Sequence, residues 1–165
     1  MTLVYFGHAM DDREQDYIVS RHAEVSRLLA LDGIRVVHTW EGRPQPVEAA
    51  NVVQSDLALM SECDVLLIDM TIPNRNYVGC VGELVYASLA GVPAVVVVGD
   101  TDYGDRLWLR AHSTLIVREW GEAVAAVESL AALSESDREG RSARWKILAT
   151  LSPRDAAPPP SPCAS

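Results

Sequence analysis

Acidic side chains gather where the chain leaves its apolar runs: Asp11 and Asp12, Asp69, Glu83, then Asp100, Asp102 and Asp105, with Asp56 a little before the third run. Glu83 closes the segment Tyr77-Val78-Gly79-Cys80-Val81-Gly82-Glu83, whose two glycines let a ligand approach the backbone just before a helix begins. The spacing predicts that helix from about Gly82 to Ala90. Glu83 then falls in its first turn, where the positive end of the helix dipole favours an ionised carboxylate. A charged carboxylate at a crevice suits displacement at an anomeric carbon. It attracts the oxocarbenium-like transition state, and the resulting glycosyl ester can be resolved by a second acceptor. A second carboxyl of raised pKa would protonate the leaving group. The plainer alternative is that Glu83 only satisfies a helix N-terminus.

Other chemistries lack their residues. A single glycine, Gly7, follows the first apolar run, so the GxGxxG of a dinucleotide fold is missing. Lys146 is the only lysine, which leaves little for Schiff-base or Walker-type chemistry. Cys63, Cys80 and Cys163 form no CxxC pair, His22 on the inner helix face reads as a core histidine, and His38 and His112 offer no partner at ligand spacing, so no metal site is expected. Cys80 near a helix start could be a stabilised thiolate, but no histidine is close in sequence and filling the loop is the simpler role. With 23 acidic against 14 basic residues and a net charge of −9, a nucleic-acid polymer is an unsuitable partner. The opening shows no signal-peptide pattern, and runs such as Val92 to Val98 are too short to cross a bilayer. The expectation is a reduced, cytoplasmic protein without a membrane partner.

The elements that must position these residues can be read from periodicity. Leu3–Gly7, Ile34–His38, Asp64–Met70, Val92–Val98 and Ser113–Trp120 read as strands, most of them near-continuously apolar. Helical spacing covers about Asp12–Leu31, with Ile18, His22, Val25 and Leu29 on one face, then Val47–Ser61, Gly82–Ala90 and residues 121–133. A loop fills residues 41–47. Ser136-Asp137-Arg138-Glu139 has the capping-box pattern and opens a last helix with Trp145, Ile147, Leu148 and Leu151. Strands alternating with helices predict an α/β fold: a flavodoxin-like, doubly wound, five-stranded parallel sheet of order 2-1-3-4-5 with helices on both faces. At 165 residues one domain is expected, over residues 1–151. Residues 152–165, a Pro/Ala/Ser-rich tail holding five of the nine prolines, are expected to be disordered. Ligands in such sheets bind beyond the carboxyl ends of the strands, which is where the acids lie.

The residues in this order resemble the nucleoside 2-deoxyribosyltransferase family and the related nucleoside 5'-monophosphate N-glycosidases. The likeness rests on Val4-Tyr5-Phe6-Gly7, on Ser55-Asp56-Leu57 ahead of Cys63-Asp64-Val65-Leu66-Leu67-Ile68-Asp69, and on Ile72-Pro73, Val78-Gly79 and Gly82-Glu83-Leu84-Val85-Tyr86-Ala87. Gly91 to Val98 and Asp102-Tyr103-Gly104 continue it, so that it covers roughly residues 3–120. The resemblance implies that Glu83 is the nucleophile, that Asp56 handles the proton on the leaving base and that Tyr5 orients the nucleophile. It further implies that Gly7 and Gly79 line the sugar site. Asp69, where relatives that hydrolyse also place an acid, would hold sugar or base, or else cap the neighbouring loop. No cofactor is implied. The implied partners are a nucleoside or nucleotide substrate and further copies of the chain, with sites near subunit interfaces.

Departures from the pattern are specific. Tyr77 stands six residues before Glu83, where transferases carry an Asp. After strand one the chain reads Gly7-His8-Ala9-Met10, without the arginine that binds phosphate in the hydrolases, and their serine loop is also missing. Arg75 or Arg13 would replace those contacts, and His8 would contact base or phosphate unless it is an ordinary loop histidine. Trp40 and Trp108 could stack on a base or simply pack. The C-terminus lacks the aromatic, carboxylate-bearing end with which transferases complete a neighbour's site. Two other readings share the fold: a catalytically silent nucleotide-binding module, and a response-regulator receiver built on Asp11, Asp12 and Asp69. The receiver would need a lysine near strand five, where Arg118 stands.

Overall fold

The computed structural model describes residues 2–10, 13, 15–30, 33–38, 49–134 and 140. Five strands, β1 (Thr2–His8), β2 (Ile34–Val37), β3 (Val65–Asp69), β4 (Ala94–Val97) and β5 (Leu115–Val117), alternate with helices. The helices are α1 (Gln15–Leu29), α2 (Ala49–Met60), α3 (Val78–Ala90), α4 (Leu107–His112) and α5 (Trp120–Ser134). Every neighbouring pair of strands is parallel, in the order β2-β1-β3-β4-β5. This is the five-stranded, doubly wound flavodoxin-like sheet expected from the sequence. Its order reverses between β1 and β3, so the chain leaves these two strands in different directions and a crevice opens beyond their carboxyl ends.

Strict alternation along each strand divides the core. Tyr5, Leu66, Ile68, Ala94 and Val96 face α2, α3 and α4, where they meet Leu57, Met60, Leu84, Ala87 and Leu109. Val4, Phe6, Leu67, Val95 and Val97 face α1 and α5 and meet Val25, Leu29, Ala123 and Val127. Both faces being covered explains why the strands are apolar throughout rather than at every second position.

One local expectation is corrected: α3 begins at Val78 rather than Gly82, because the amide of Val81 already donates to the Tyr77 carbonyl at 2.9 Å. Gly79 and Gly82 each weaken a helix by about 1 kcal/mol relative to alanine. That cost is offset by burial of Cys80, Leu84 and Ala87 at helical spacing. The helix stops at Gly91, whose φ of 74° is the left-handed conformation that a helix C-terminus needs. Between β4 and β5 a 3-10 turn at Asp102–Asp105 leads into α4, a helix the sequence reading did not assign. The loop of residues 41–47, Trp40, Asp11 and Asp12, the capping-box helix and the tail of residues 152–165 lie outside the described residues.

Candidate active site

Glu83 and Tyr5 come from elements 78 residues apart. Tyr5, 1% exposed in the middle of β1, points toward α3, and its hydroxyl donates to Glu83 Oε1 at 2.7 Å. The other carboxylate oxygen lies over Gly7, two residues further along the same face of β1. A Cβ at position 7 would stand 2.5 Å from Glu83 Oε2, so only glycine leaves room for the carboxylate where it is. The three residues thus fix a half-buried carboxylate toward the carboxyl end of β1, beside the switch point of the sheet. With α3 starting at Val78, Glu83 occupies its second turn and no acid occupies the first. The helix dipole, which acts within about one turn, is therefore a weaker influence on Glu83 than the Tyr5 hydroxyl is.

Asp56 is half-buried on α2, which packs beside α3 on the same face of the sheet as Tyr5. Gly79 is exposed at the start of α3, and a Cβ there would meet nothing within 4 Å, which leaves open space beside the helix.

Two more of the sequence candidates fall on the opposite face. His8 and Asp69 are register partners on β1 and β3, and both point toward α1 and α5. Arg21 of α1 donates to Asp69 Oδ2 from Nε at 2.8 Å, and its Nη2 forms an ion pair with the same oxygen at 2.8 Å. Asp69 Oδ1 accepts the Thr71 amide at 3.0 Å and the Thr71 hydroxyl at 2.7 Å. The carboxylate is therefore turned to its own loop and to α1, which is the loop-capping alternative. His8, 5% exposed, stacks on Phe6 with ring centroids 5.0 Å apart. Burial holds its imidazole below the ordinary value, against the opposing pull of the Asp69 carboxylate.

Tyr77 and Arg75 belong to the loop between β3 and α3. The Tyr77 hydroxyl accepts the Ile72 amide at 3.1 Å and donates to the Ile72 carbonyl at 3.3 Å. Burial pushes its phenol up to about 12. Tyr103 grips the backbone of Arg75 in the same manner, accepting from its amide at 2.8 Å and donating to its carbonyl at 3.0 Å. The two tyrosine rings meet edge to face at 5.3 Å. Two phenols, used as backbone surrogates, hold the loop from which α3 starts.

A cavity of about 310 Å³ opens on the other flank of α3, among Met70, Tyr77, Val81, Tyr103, Arg106 and Trp108. Val78 and Val81 on its wall lie roughly 140–160° round the helix from Glu83. The cavity is thus not the space in front of the carboxylate. Among the described residues no cluster of three or more His, Cys, Asp or Glu side chains is placed to hold a metal ion. None of the helices among them is long and apolar enough to cross a membrane.

The sequence reading passed over Arg21. Its signal was present: Arg21 lies three residues after Ile18 and four before Val25, on the helix face already read as buried. Tyr103 had no local signal, because its partner is 28 residues away.

No family model matches the sequence, and no curated protein matches it significantly. Solved structures do match its fold. The 2-desoxiribosyltransferase from Leishmania mexicana superposes with a TM-score of 0.62 at 15% identity, covering 78% of this chain and 98% of that one. The CMP N-glycosidase from Clostridium botulinum gives 0.52 at 16% identity, covering 78% and 99%. A response-regulator receiver domain from Francisella gives 0.51 at 14% identity, covering 81% and 98%. A fold held in common by a transferase, a glycosidase and a receiver does not assign an activity, so the activity has to be argued from the site.

Proposed function

We propose that the chain is a nucleoside 2-deoxyribosyltransferase-like enzyme that breaks the N-glycosidic bond of a (deoxy)ribonucleoside or its 5'-monophosphate through a glycosyl-enzyme on Glu83. The observation that carries this reading is the Glu83 carboxylate held between the Tyr5 hydroxyl and the bare Cα of Gly7. A receiver or a silent binding module has no use for an acid oriented in this way.

In the first step Glu83 attacks C1', the C–N bond breaks, and its electron pair leaves with the base, which takes a proton from the Asp56 carboxyl. In the second step an acceptor base or water attacks C1', gives a proton to Asp56 and frees the Glu83 carboxylate. Tyr5 orients the nucleophile, Gly7 and Gly79 line the sugar site, and no metal or organic cofactor takes part. Arg75, half-buried in the loop before α3, and His8, Asp69 and Tyr77 are the remaining candidates for substrate contact. The inward bonds of Asp69 and Tyr77 favour a supporting role for those two. Copies of the chain associate with sites near the interfaces. Exposed Val78, Leu107 and Trp108 around the α3–α4 cavity support the association itself, since apolar side chains so grouped mark association surfaces. Buried Cys63 and Cys80, outside any disulfide, fit a reduced cytoplasmic setting. The acceptor is the open half of the reaction. Transfer to a base makes the enzyme a transferase, and transfer to water makes it a nucleoside 5'-monophosphate N-glycosidase.

The test is chromatography of a panel of nucleosides and nucleotides with and without a second free base. Exchange of the base identifies the transferase, release of sugar or sugar phosphate the hydrolase, and binding without turnover across the panel overturns both. Tyr5→Phe is expected to lower kcat roughly 10- to 100-fold, because a hydrogen bond to a charged group contributes about 1.5–3 kcal/mol. Steady-state kinetics of the folded variant measures the effect, and a kcat equal to that of the parent chain would remove Tyr5 from the mechanism.

A further inference from the structure

We infer that Arg21 is a positioning residue for the Glu83 site, its grip on Asp69 fixing the loop from Thr71 to Tyr77 on which α3 is seated. The inference rests on the proposed glycosyl transfer for its kinetic consequence, but its geometric basis is separate.

Asp69 is 3% exposed and accepts three hydrogen bonds, from Arg21 Nε on Oδ2 and from the Thr71 amide and hydroxyl on Oδ1, with Arg21 Nη2 in ion-pair contact with Oδ2. A carboxylate so buried needs both a cation and full hydrogen bonding. Arg21 can supply the cation from α1 because it is itself held, with its guanidinium 4.4 Å above the Trp120 ring and 2.6 Å from Glu24. Burial works against its charge, but Asp69 and Glu24 carry the guanidinium above its ordinary value. The guanidinium matters, because one group both pairs with the carboxylate and sits over the indole, a combination for which arginine is better suited than lysine.

The grip is passed along the chain. Thr71 is the second residue after β3, Ile72 is tied to the Tyr77 hydroxyl, Arg75 to Tyr103, and the Tyr77 carbonyl accepts the Val81 amide that opens α3. Glu83 is six residues beyond Tyr77 on the same rigid helix. Arg21 therefore acts on the opposite face of the sheet from Glu83 and touches none of Tyr5, Gly7 and Glu83. Asp69 also stands beside His8, whose ring is buried. The groups acting on His8 are Asp69 from β3, the backbone of Ala9, and Arg21 and His22 from α1: Asp69 and Ala9 favour its protonation, and the other two oppose it. Without Arg21, its opposition is lost while the pull of Asp69 remains, and His8 would take up a proton at higher pH.

The experiment uses the full chain with Arg21→Met, Arg21→Lys and Thr71→Val. Three quantities are read: kcat and KM of the N-glycosidic reaction, amide exchange at Thr71, Ile72 and Val81, and the NMR titration of the His8 ring. Arg21→Met is expected to lower kcat roughly 10- to 100-fold with a much smaller change in KM, as a displacement of about 1 Å does. It should also speed exchange at Thr71 and Ile72 and raise the His8 midpoint. Arg21→Lys should recover part of kcat and most of the His8 midpoint. Thr71→Val should lower kcat and leave the His8 midpoint in place, because the charge pair survives. If Arg21→Met does not fold, Arg21→Lys and Thr71→Val still read kcat and exchange at Thr71 and Ile72, which decide the grip and the positioning role. Unchanged exchange at Thr71 and Ile72 overturns the grip, and faster exchange with an unchanged kcat overturns the positioning role. A parent chain without glycosyl turnover overturns the proposed reaction instead, and exchange together with the His8 titration then decides the grip on its own.

Discussion

Glu83→Gln is expected to lower turnover by at least about 10³-fold, the order of loss seen when a covalent nucleophile is removed. The substitution keeps the shape of the side chain and leaves a carbonyl oxygen to accept from the Tyr5 hydroxyl, now 2.7 Å away. The fold and the substrate-binding surface should therefore persist, and the loss should fall on kcat. What disappears is the negative charge that attacks C1' and answers the oxocarbenium-like transition state. Rapid quenching followed by intact-mass measurement should show a glycosyl adduct on the parent chain and none on the variant. Wild-type turnover in Glu83→Gln would assign the nucleophile elsewhere.

Gly7→Ala is expected to lower kcat by about 10²-fold while the chain stays as stable as before, or becomes slightly more so. The new Cβ would fall 2.5 Å from Glu83 Oε2, whereas its next neighbours, Glu83 Cδ and Ile68 Cγ1, are at ordinary contact distances of 3.5 and 3.7 Å. The atom that must yield is the far end of a flexible side chain. The carboxylate swings aside and the strand does not move. The φ of Gly7 is not in the left-handed region, so alanine meets no backbone strain. Comparing kcat with the melting temperature separates this from an ordinary packing defect, which would lower both. Combining Gly7→Ala with Tyr5→Phe should give less than the sum of the two losses, because both act by releasing the same carboxylate. Full additivity would mean that Gly7 acts on something other than Glu83. Gly79→Ala makes the contrast, since a Cβ there meets no protein atom within 4 Å.

The sheet and its strand order were legible because each strand, buried on both faces, is written as a short apolar run. Val65–Asp69 and Ala94–Val97 could not be mistaken for the half-polar strands of an antiparallel sheet. The start of α3 was misread because glycine frequency was weighed above burial. Gly79 and Gly82 suggested a loop, while Cys80, Leu84 and Ala87 at helical spacing were what decided the conformation. The short helix α4 was missed for a related reason: within Leu107–His112 only Leu109 is buried, so no apolar stripe announces it. Of the site, the glycines and helix start around Glu83 pointed to that acid, while Asp56, Tyr5 and Gly7 were implied by the family resemblance. Neither could show that His8 and Asp69, one step further along their strands, face the other way.

Composition and periodicity alone determined that this chain forms a parallel α/β sheet, because burial on each face leaves its mark residue by residue in local sequence. They also determined that acids gather at the carboxyl ends of its strands. Only the tertiary structure decided which of those acids share a face. A pleated strand turns successive side chains to opposite sides of the sheet. One residue of register therefore separates Gly7, which admits the Glu83 carboxylate, from His8, which lies with Asp69 and Arg21 against α1. Such pairings join residues 48 and 78 positions apart and depend on how helices pack across the sheet, which no local stretch of sequence records.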